Sequence, residues 1–428
     1  MVRAVSSASP AAIGPTFTAA SSTRRWLALD VLRAIAVLSM IQGHTFTALL
    51  RADEYGPSWS RWYRLFHGLT APMFLLGGGL AYGIVTLRVD VQKRRDPMRL
   101  LRRGVMLIVL GYALQVPRAS WSAILADEHL LGLLLRVGPL QLVGACLLLA
   151  EALGWMLRSR AAIGSGIAMT AATIAIGAPR VWSARGSSHA PRVIGPWLDG
   201  HGGSLFPFFP WAAFFFLGVL VSLWLGRIRE GRNGEGWAGV ALIGGGVAAA
   251  GFAYAMYSHG LVLRGIYGEH ELWHTNPLYV LFRSGAVLAL LGLLSASEPV
   301  IRWLWRRLPT LDQVLSVIAR QSLVAYVVHL LVLYGSPLNK SLAKIGATLE
   351  LCEASAIAGC LLLFTVAVSV IWDQAITQGL LRKQMTLLWR GLTRVHVGEV
   401  DRIGEGERHD AIAPKQQIKP AATPGHSV

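Results

Sequence analysis

The sequence predicts an all-α fold: a polytopic integral membrane helix bundle of about ten transmembrane helices. Three observations carry this reading. Only 15% of the residues are charged, against roughly 25% in soluble domains. Hydrophobic residues make up 54% of the chain. Apolar stretches approaching the roughly 20 residues that a bilayer requires recur from one end to the other. A soluble protein with this pattern would have to bury every helix on all sides within one domain, which is not a workable packing.

Taken in order, the spans fall at about 29–49, 69–87, 103–118, 134–156, 162–179, 206–226, 237–257, 277–296, 315–334 and 354–379. Residues 1–23 are rich in Ser and Ala with little apolar mass and read as a disordered cytoplasmic tail. Arg24 and Arg25 then precede an apolar run, as in a signal peptide, but no small-residue cleavage site follows. The transmembrane domain is expected over 24–397, and 398–428 reads as a second polar cytoplasmic tail.

Basic residues set the orientation. With the N-terminus inside, the cytoplasmic loops gather Arg88, Lys93, Arg94, Arg95, Arg99, Arg102 and Arg103, then Arg158 and Arg160, Arg227, Arg229 and Arg232, and Arg302, Arg306 and Arg307. Outside loops are longer yet poorer in Lys and Arg, which favours both termini in the cytoplasm and agrees with an even span count. The setting expected is the plasma membrane. The net charge of +17 therefore reports topology and anionic lipid, not nucleic acid. The three cysteines, Cys146, Cys352 and Cys360, form no CxxC pair and no disulfide framework; Cys146 and Cys360 read as core filler.

Histidine shows the opposite bias. His67, His129, His189, His201, His259, His270 and His274 fall in or beside outside loops, and His44 and His329 near the outer ends of spans. Groups able to move protons near neutral pH thus collect on one side.

The first span, "LDVLRAIAVLSMIQGH", carries the sharpest signal. Asp30, Arg33, Val37, Met40 and His44 are spaced 3, 4, 3, 4 and share one helical face. Arg33 and His44, eleven residues apart, lie roughly 16 Å apart along the axis and only about 20° apart in rotation. Polar groups so placed should face the bundle interior or a water-filled cavity. Asp30 and Arg33 read equally well as an interfacial ion pair.

Ser322, Tyr326 and His329 are spaced 4 and 3 and share a second face. That face is either an interhelical hydrogen-bond network or a second wall of a site, with His329 orienting an acceptor or a base. Arg283 lies roughly 10 Å inside its span; Asp373 and Glu151 are candidate partners, and a structural ion pair remains open. Trp62 and Trp211 could stack on a sugar or belong to the interfacial aromatic belt. The glycines of "LLGGGLAYG" read as close helix packing. "HELWH" matches a zinc-protease pattern in which His270 and His274 ligate and Glu271 is the base. Gly268 and Pro277 crowd it, no third ligand is evident, and a polar loop with no metal is the better reading.

Arg33, ten residues, then His44 resembles the Arg-x(10)-His signature of the transmembrane acyltransferase superfamily. The helix around it is similar to the first core helix of the heparan-α-glucosaminide N-acetyltransferase family and its bacterial relatives. "HGLTAPMFLLGGG", "FPFFPWAAFFFLGVL", "NPLYVLFRSGAVL" and "RQSLVAYVVHLLVLYG" resemble later helices of that family, in order. The resemblance runs from about residue 24 to 335 plus one further helix.

What it implies is transfer of an acetyl or other acyl group from cytoplasmic acyl-CoA to a glycan amine or hydroxyl on the extracytoplasmic side. Arg33, with Asp30, would meet CoA phosphates, since guanidinium matches phosphate oxygens; those phosphates are a further candidate partner for Arg283. His44 would act at the thioester as base or acyl carrier. His67 is the second catalytic candidate, although its spacing to the following "AP" departs from the family pattern, and His329 the third. Ser322, Tyr326, Trp62 and Trp211 are the candidate acceptor contacts. A transporter or flippase using the same cavity, and a zinc peptidase on His270, Glu271 and His274, are the competing classes. Assembly of several copies is left open.

Overall fold

The computed structural model describes residues 26–86, 97–117, 120–229, 234–259, 261–268, 270, 275–335 and 340–377. The two tails expected at 1–23 and 398–428 lie outside these residues. The described chain divides into two compact units at Ser369 and Val370.

The described residues are mostly helical and include no strand. The helices are α1 (Leu27–Leu49), α2 (Pro57–His67), α3 (Thr70–Thr86), α4 (Pro97–Gln115), α5 (Trp121–Ala126), α6 (Glu128–Leu135), α7 (Pro139–Met156), α8 (Arg160–Ser183) and α9 (Gly186–His189). They continue as α10 (Gly195–Leu198), α11 (Phe208–Arg229), α12 (Gly234–Ser258), α13 (Leu261–Tyr267), α14 (Pro277–Ala296), α15 (Glu298–Arg307), α16 (Pro309–Arg320), α17 (Ser322–Tyr334) and α18 (Leu351–Thr377). Among the described residues, eight helices are long and apolar enough to cross a membrane, and nine if the bent pair α16–α17 is one span. Helix α4 is also of spanning length, at 19 residues, but Arg99, Arg102 and Arg103 occupy its first turns. This is a multi-pass membrane protein.

Helices stand at each of the ten expected positions, but the one at 103–118 is not among those apolar enough to count as a span, and two others differ in outline. The run 134–156 begins only at Pro139, because the short helix α6 precedes it and Val137 and Gly138 interrupt the two. The run 315–334 is not one helix: α16 and α17 meet at Gln321 with a bend of 81°. The apolar window hides this break, but Arg320, Gln321 and Ser322 form a polar triplet inside it. Backbone can leave the helix at membrane depth only where protein or a polar cavity supplies partners.

Burial orders the bundle. In α1, the Trp62–Thr86 span and α11, 56%, 61% and 56% of the apolar window is buried, against 28%, 22% and 28% in α8, α12 and α18. The first three are therefore central and the others present broad faces to lipid. Phe214, Phe215 and Phe216 of α11 fill the centre with no exposure. Cys146 is buried, but Cys360 is exposed on α18, not core filler as expected.

Glycine lets the helices approach. A Cβ on Gly79 of α3 would run into the Phe215 carbonyl oxygen, and one on Gly218 of α11 into that of Leu76. The same device joins α4 to α7 at Gly104 and Gly144, and α12 to α14 at Gly246 and Gly285. Small residues at such contacts are the expected means of packing where no hydrophobic drive separates helix from lipid.

Two contacts fix the ends of α1. Glu298, at the start of α15, accepts a hydrogen bond from the Ala28 backbone N–H at 3.3 Å, where a carboxylate complements the helix dipole. At the other end Leu50 pairs with Leu349 in an isolated parallel bridge, through Arg51 N–H to Leu349 O and Leu349 N–H to Leu49 O, both 2.9 Å.

Candidate active site

The stripe read on α1 meets the stripe read on α17. An Arg33 Nη2–H donates to Ser322 Oγ at 3.1 Å. Eleven residues further along, His44 Nδ1 lies 3.0 Å from His329 Nε2, with ring centroids 5.2 Å apart and ring planes inclined by 26°. The helices therefore run in the same direction, and the two contacts form rungs between them. The rungs are about 16 Å apart on α1 and about 10 Å apart on α17 by helical rise; the length of the arginine side chain accounts for the difference.

At the first rung Asp30 stands one turn before Arg33, and the charges of Asp30 and Arg103 both act on the guanidinium. At the second rung His329 is fully buried. Its Nδ1 lies 2.8 Å from the Ala325 carbonyl oxygen. Tyr326 meets it edge-on at 5.7 Å and 80°, and Tyr334 meets His44 at 6.2 Å.

His67 joins the second rung from α2. Its ring fills the space that a Cβ on Gly43 would take, one residue before His44, and stacks parallel on Tyr63 at 5.4 Å and 6°. Its Nδ1 is buried without a hydrogen-bond partner. The line of rings continues along α2 and outward from it through Tyr63, Trp59 and Tyr55. Three imidazoles thus gather at the C-terminal end of α1, brought there by three different segments.

Arg283 is placed elsewhere. Its Nη1–H donates to the Leu65 carbonyl at 2.9 Å, and its guanidinium lies against Gly68 and over Tyr279 at 5.5 Å. It braces the turn from α2 into α3, which carries His67. Trp211 packs on the same Tyr279 at 6.4 Å and on Phe206 at 4.8 Å. Trp62 is 62% exposed. Glu151 accepts from Tyr82 Oη at 2.6 Å, a buried pair between α3 and α7.

Of the "HELWH" stretch, Glu271 and His274 lie outside the described residues. His270 Nδ1–H donates to Gly268 O at 2.9 Å, and its Nε2 faces Asn276 Nδ2 at 3.4 Å, so both ring nitrogens are engaged by the protein. Among the described residues no three metal-ligating side chains gather.

The loop between α8 and α11 carries a separate polar centre. Asp199, fully buried, accepts from the backbone N–H groups of Ser187 at 2.9 Å and His201 at 3.0 Å, and its Oδ1 lies 3.2 Å from His201 Nδ1. Burial would raise its affinity for a proton, but these hydrogen bonds outweigh burial and hold it below the usual carboxylate range.

Sequence reasoning found both stripes but missed Gly43, Tyr334 and the carbonyls of Leu65 and Ala325; Tyr63, an outside-loop aromatic that could stack on a sugar or belong to the interfacial belt, stacks on His67. Glycine next to His44 was the one available signal.

The profile of the heparan-alpha-glucosaminide N-acetyltransferase catalytic family matches residues 25–257. The chain belongs to this family. No curated protein matches it closely enough to add a relative. Membership of the heparan-alpha-glucosaminide N-acetyltransferase catalytic family brings a transferase activity of membrane acetyltransferase type. The matched region holds Arg33, His44, His67 and Trp211. Arg283, Ser322, Tyr326 and His329 lie beyond it, so the second half of each rung is joined to the family's helices by the fold alone.

Proposed function

We propose that this protein transfers an acetyl or other short acyl group from cytoplasmic acyl-CoA to an amine or hydroxyl of an extracytoplasmic glycan. It would do so as a multi-pass protein of a bacterial inner membrane with both termini in the cytoplasm. The observation that carries the reading is the pair of rungs: a cation and an imidazole face one partner helix, separated by most of a bilayer's half-thickness. Membership of an acetyltransferase family supports it independently.

In this reading Arg33 receives phosphate oxygens of the donor at the cytoplasmic end. Ser322 fixes the plane of its guanidinium, and a planar fork of N–H donors suits phosphate. The acyl arm then extends along α1 to His44. His44 removes the proton from the acceptor hydroxyl or amine as that atom attacks the thioester carbon. A C–O or C–N bond forms, the C–S bond breaks, and the thiolate leaves with the proton His44 had taken. The net change is acyl-S-CoA plus acceptor-H giving acyl-acceptor plus CoA-SH. Direct transfer requires donor and acceptor together at the second rung. His67, seated on Gly43, would border the reacting groups from α2, with Tyr326 and Tyr334 beside the two histidines. Arg283 keeps the α2–α3 turn, and with it His67, in place.

The test uses the full chain in membranes, supplied with radiolabelled acetyl-CoA and envelope glycans. Label in the glycan that depends on His44 is the expected result. Uptake or export of label with no acetylated product would replace the reading with transport.

A further inference from the structure

The hydrogen bonds at the second rung determine which nitrogen of His44 can do chemistry. The Ala325 carbonyl oxygen can only accept, so at 2.8 Å the His329 Nδ1 must carry the proton and donate it. A neutral imidazole has one N–H, so His329 Nε2 is then a lone pair. That lone pair faces His44 Nδ1 at 3.0 Å, and only an N–H can meet it. His44 is thereby protonated on Nδ1, and its own lone pair stands on Nε2. With both rings neutral, no other assignment satisfies both contacts.

We propose that His329 is a positioning residue that locks His44 in its Nδ1–H tautomer, making Nε2 of His44 the one reactive nitrogen of the pair. Donation runs from His44 to His329 to Ala325 O, which leaves the lone pair of His44 Nε2 at the far end of the chain, where an acceptor's proton would arrive. When His44 takes that proton, its Nδ1–H still has His329 Nε2 to donate to, so the charged ring keeps its orientation through the step. His329, with Nδ1 donating inward and Nε2 occupied, has no nitrogen left for substrate. The pair does with two histidines what a carboxylate and a histidine do in hydrolases, where losing the correct tautomer costs far more than losing the contact's energy. Tyr326, edge-on to His329, holds the ring against rotation.

The consequence for turnover rests on the acyltransfer reading; the tautomer does not, and the experiment separates them. Nitrogen-15 NMR of histidine-labelled protein in nanodiscs, assigned with His44→Gln, reads the protonation site directly. His44 is expected with Nδ1 protonated and Nε2 bare. Replacement by His329→Leu should release the lock and populate the Nε2–H form; His329→Gln, whose amide oxygen can accept from Nδ1–H, should restore it. In acetyl transfer, His329→Leu should lower kcat on the order of 10²-fold with KM little changed, and His329→Gln should recover part of that loss. Wild-type His44 protonated on Nε2 would overturn the proposal, as would a His329→Leu variant that keeps wild-type kcat. A His329→Leu protein that does not fold leaves the wild-type spectrum and the Gln variant to decide. A correct tautomer in a protein that transfers nothing would retire the acyltransfer reading while leaving the lock in place.

Discussion

Helices α12 and α14 pair through glycine, whereas α1 and α17 pair through side chains that carry charge and protons. At the first seam a Cβ on Gly285 would stand 2.6 Å from the Gly246 carbonyl oxygen, and one on Gly292 2.7 Å from the Ile243 nitrogen. Nothing but backbone fits. At the second seam an arginine reaches a serine and a histidine reaches a histidine, next to a helix broken by 81°. One seam maximises contact, which is what stabilises helix association in lipid. The other gives up contact and keeps polar groups at membrane depth, a cost that proteins retain where those groups act.

The largest expected effect tests the second seam. His44→Ala should reduce acetyl transfer by at least on the order of 10²–10⁴-fold, the range for loss of a general base, while thermal unfolding in detergent moves little. Undiminished turnover would remove His44 from the mechanism. Next comes Arg33→Ala, which should weaken acyl-CoA binding by about 1.5–3 kcal/mol, the scale of hydrogen bonds to a charged group. Acceptor binding should change much less, and titration calorimetry of each ligand separately measures the contrast.

The first seam responds in the opposite sense. Gly285→Val should cost about 1–3 kcal/mol of stability or more, because backbone on α12 has to move to admit the side chain. Reversible unfolding in mixed micelles reads this. The surviving folded fraction should turn over normally per molecule, since no rung is touched. A stable Gly285→Val with impaired catalysis would erase the distinction between the seams. Gly43→Ala joins the two ideas: its methyl group falls where the His67 ring now lies. The variant should fold, displace His67, and show by NMR a changed His67 environment with His44 still bonded to His329.

Most of the fold was legible because span length and apolarity are properties of single segments. The stripe on α1 and the stripe on α17 were legible for the same reason: each is a spacing rule within one helix. That the two face each other was not, since Arg33 and Ser322 are 289 residues apart and His44 and His329 are 285 apart. The break at Gln321 was hidden by the apolar residues on both sides of it. Arg283 was sought among carboxylates and CoA phosphates, but it donates to the Leu65 carbonyl, and backbone acceptors carry no signature in sequence. Trp62 and His67 lie on the same helix, yet one is exposed and the other sits against Gly43. Their difference is decided by helix rotation, not residue type.

The smallest effect lies outside both seams, in the loop that holds Asp199. Hydrogen bonds from Ser187 and His201 outweigh burial and keep its carboxyl below the ordinary range. A group whose folded-state value is depressed stabilises the fold above its unfolded value, and that contribution is lost as pH falls toward the folded value. The loop between α8 and α11 should therefore loosen under acid, below about pH 4 where free aspartates begin to protonate, before either seam does. Hydrogen exchange at the Ser187 and His201 amides is the direct measurement. Protection there should fall with acid, and Asp199→Asn, which cannot be a carboxylate at any pH, should show lowered protection already at neutral pH and little further change on acidification. Because this centre shares no residue with the rungs, acetyl transfer by Asp199→Asn at neutral pH should stay near the wild-type rate. A large loss of activity would mean that the loop contributes to acceptor binding, and the comparison between a packing seam and a working seam would then have to include a third region.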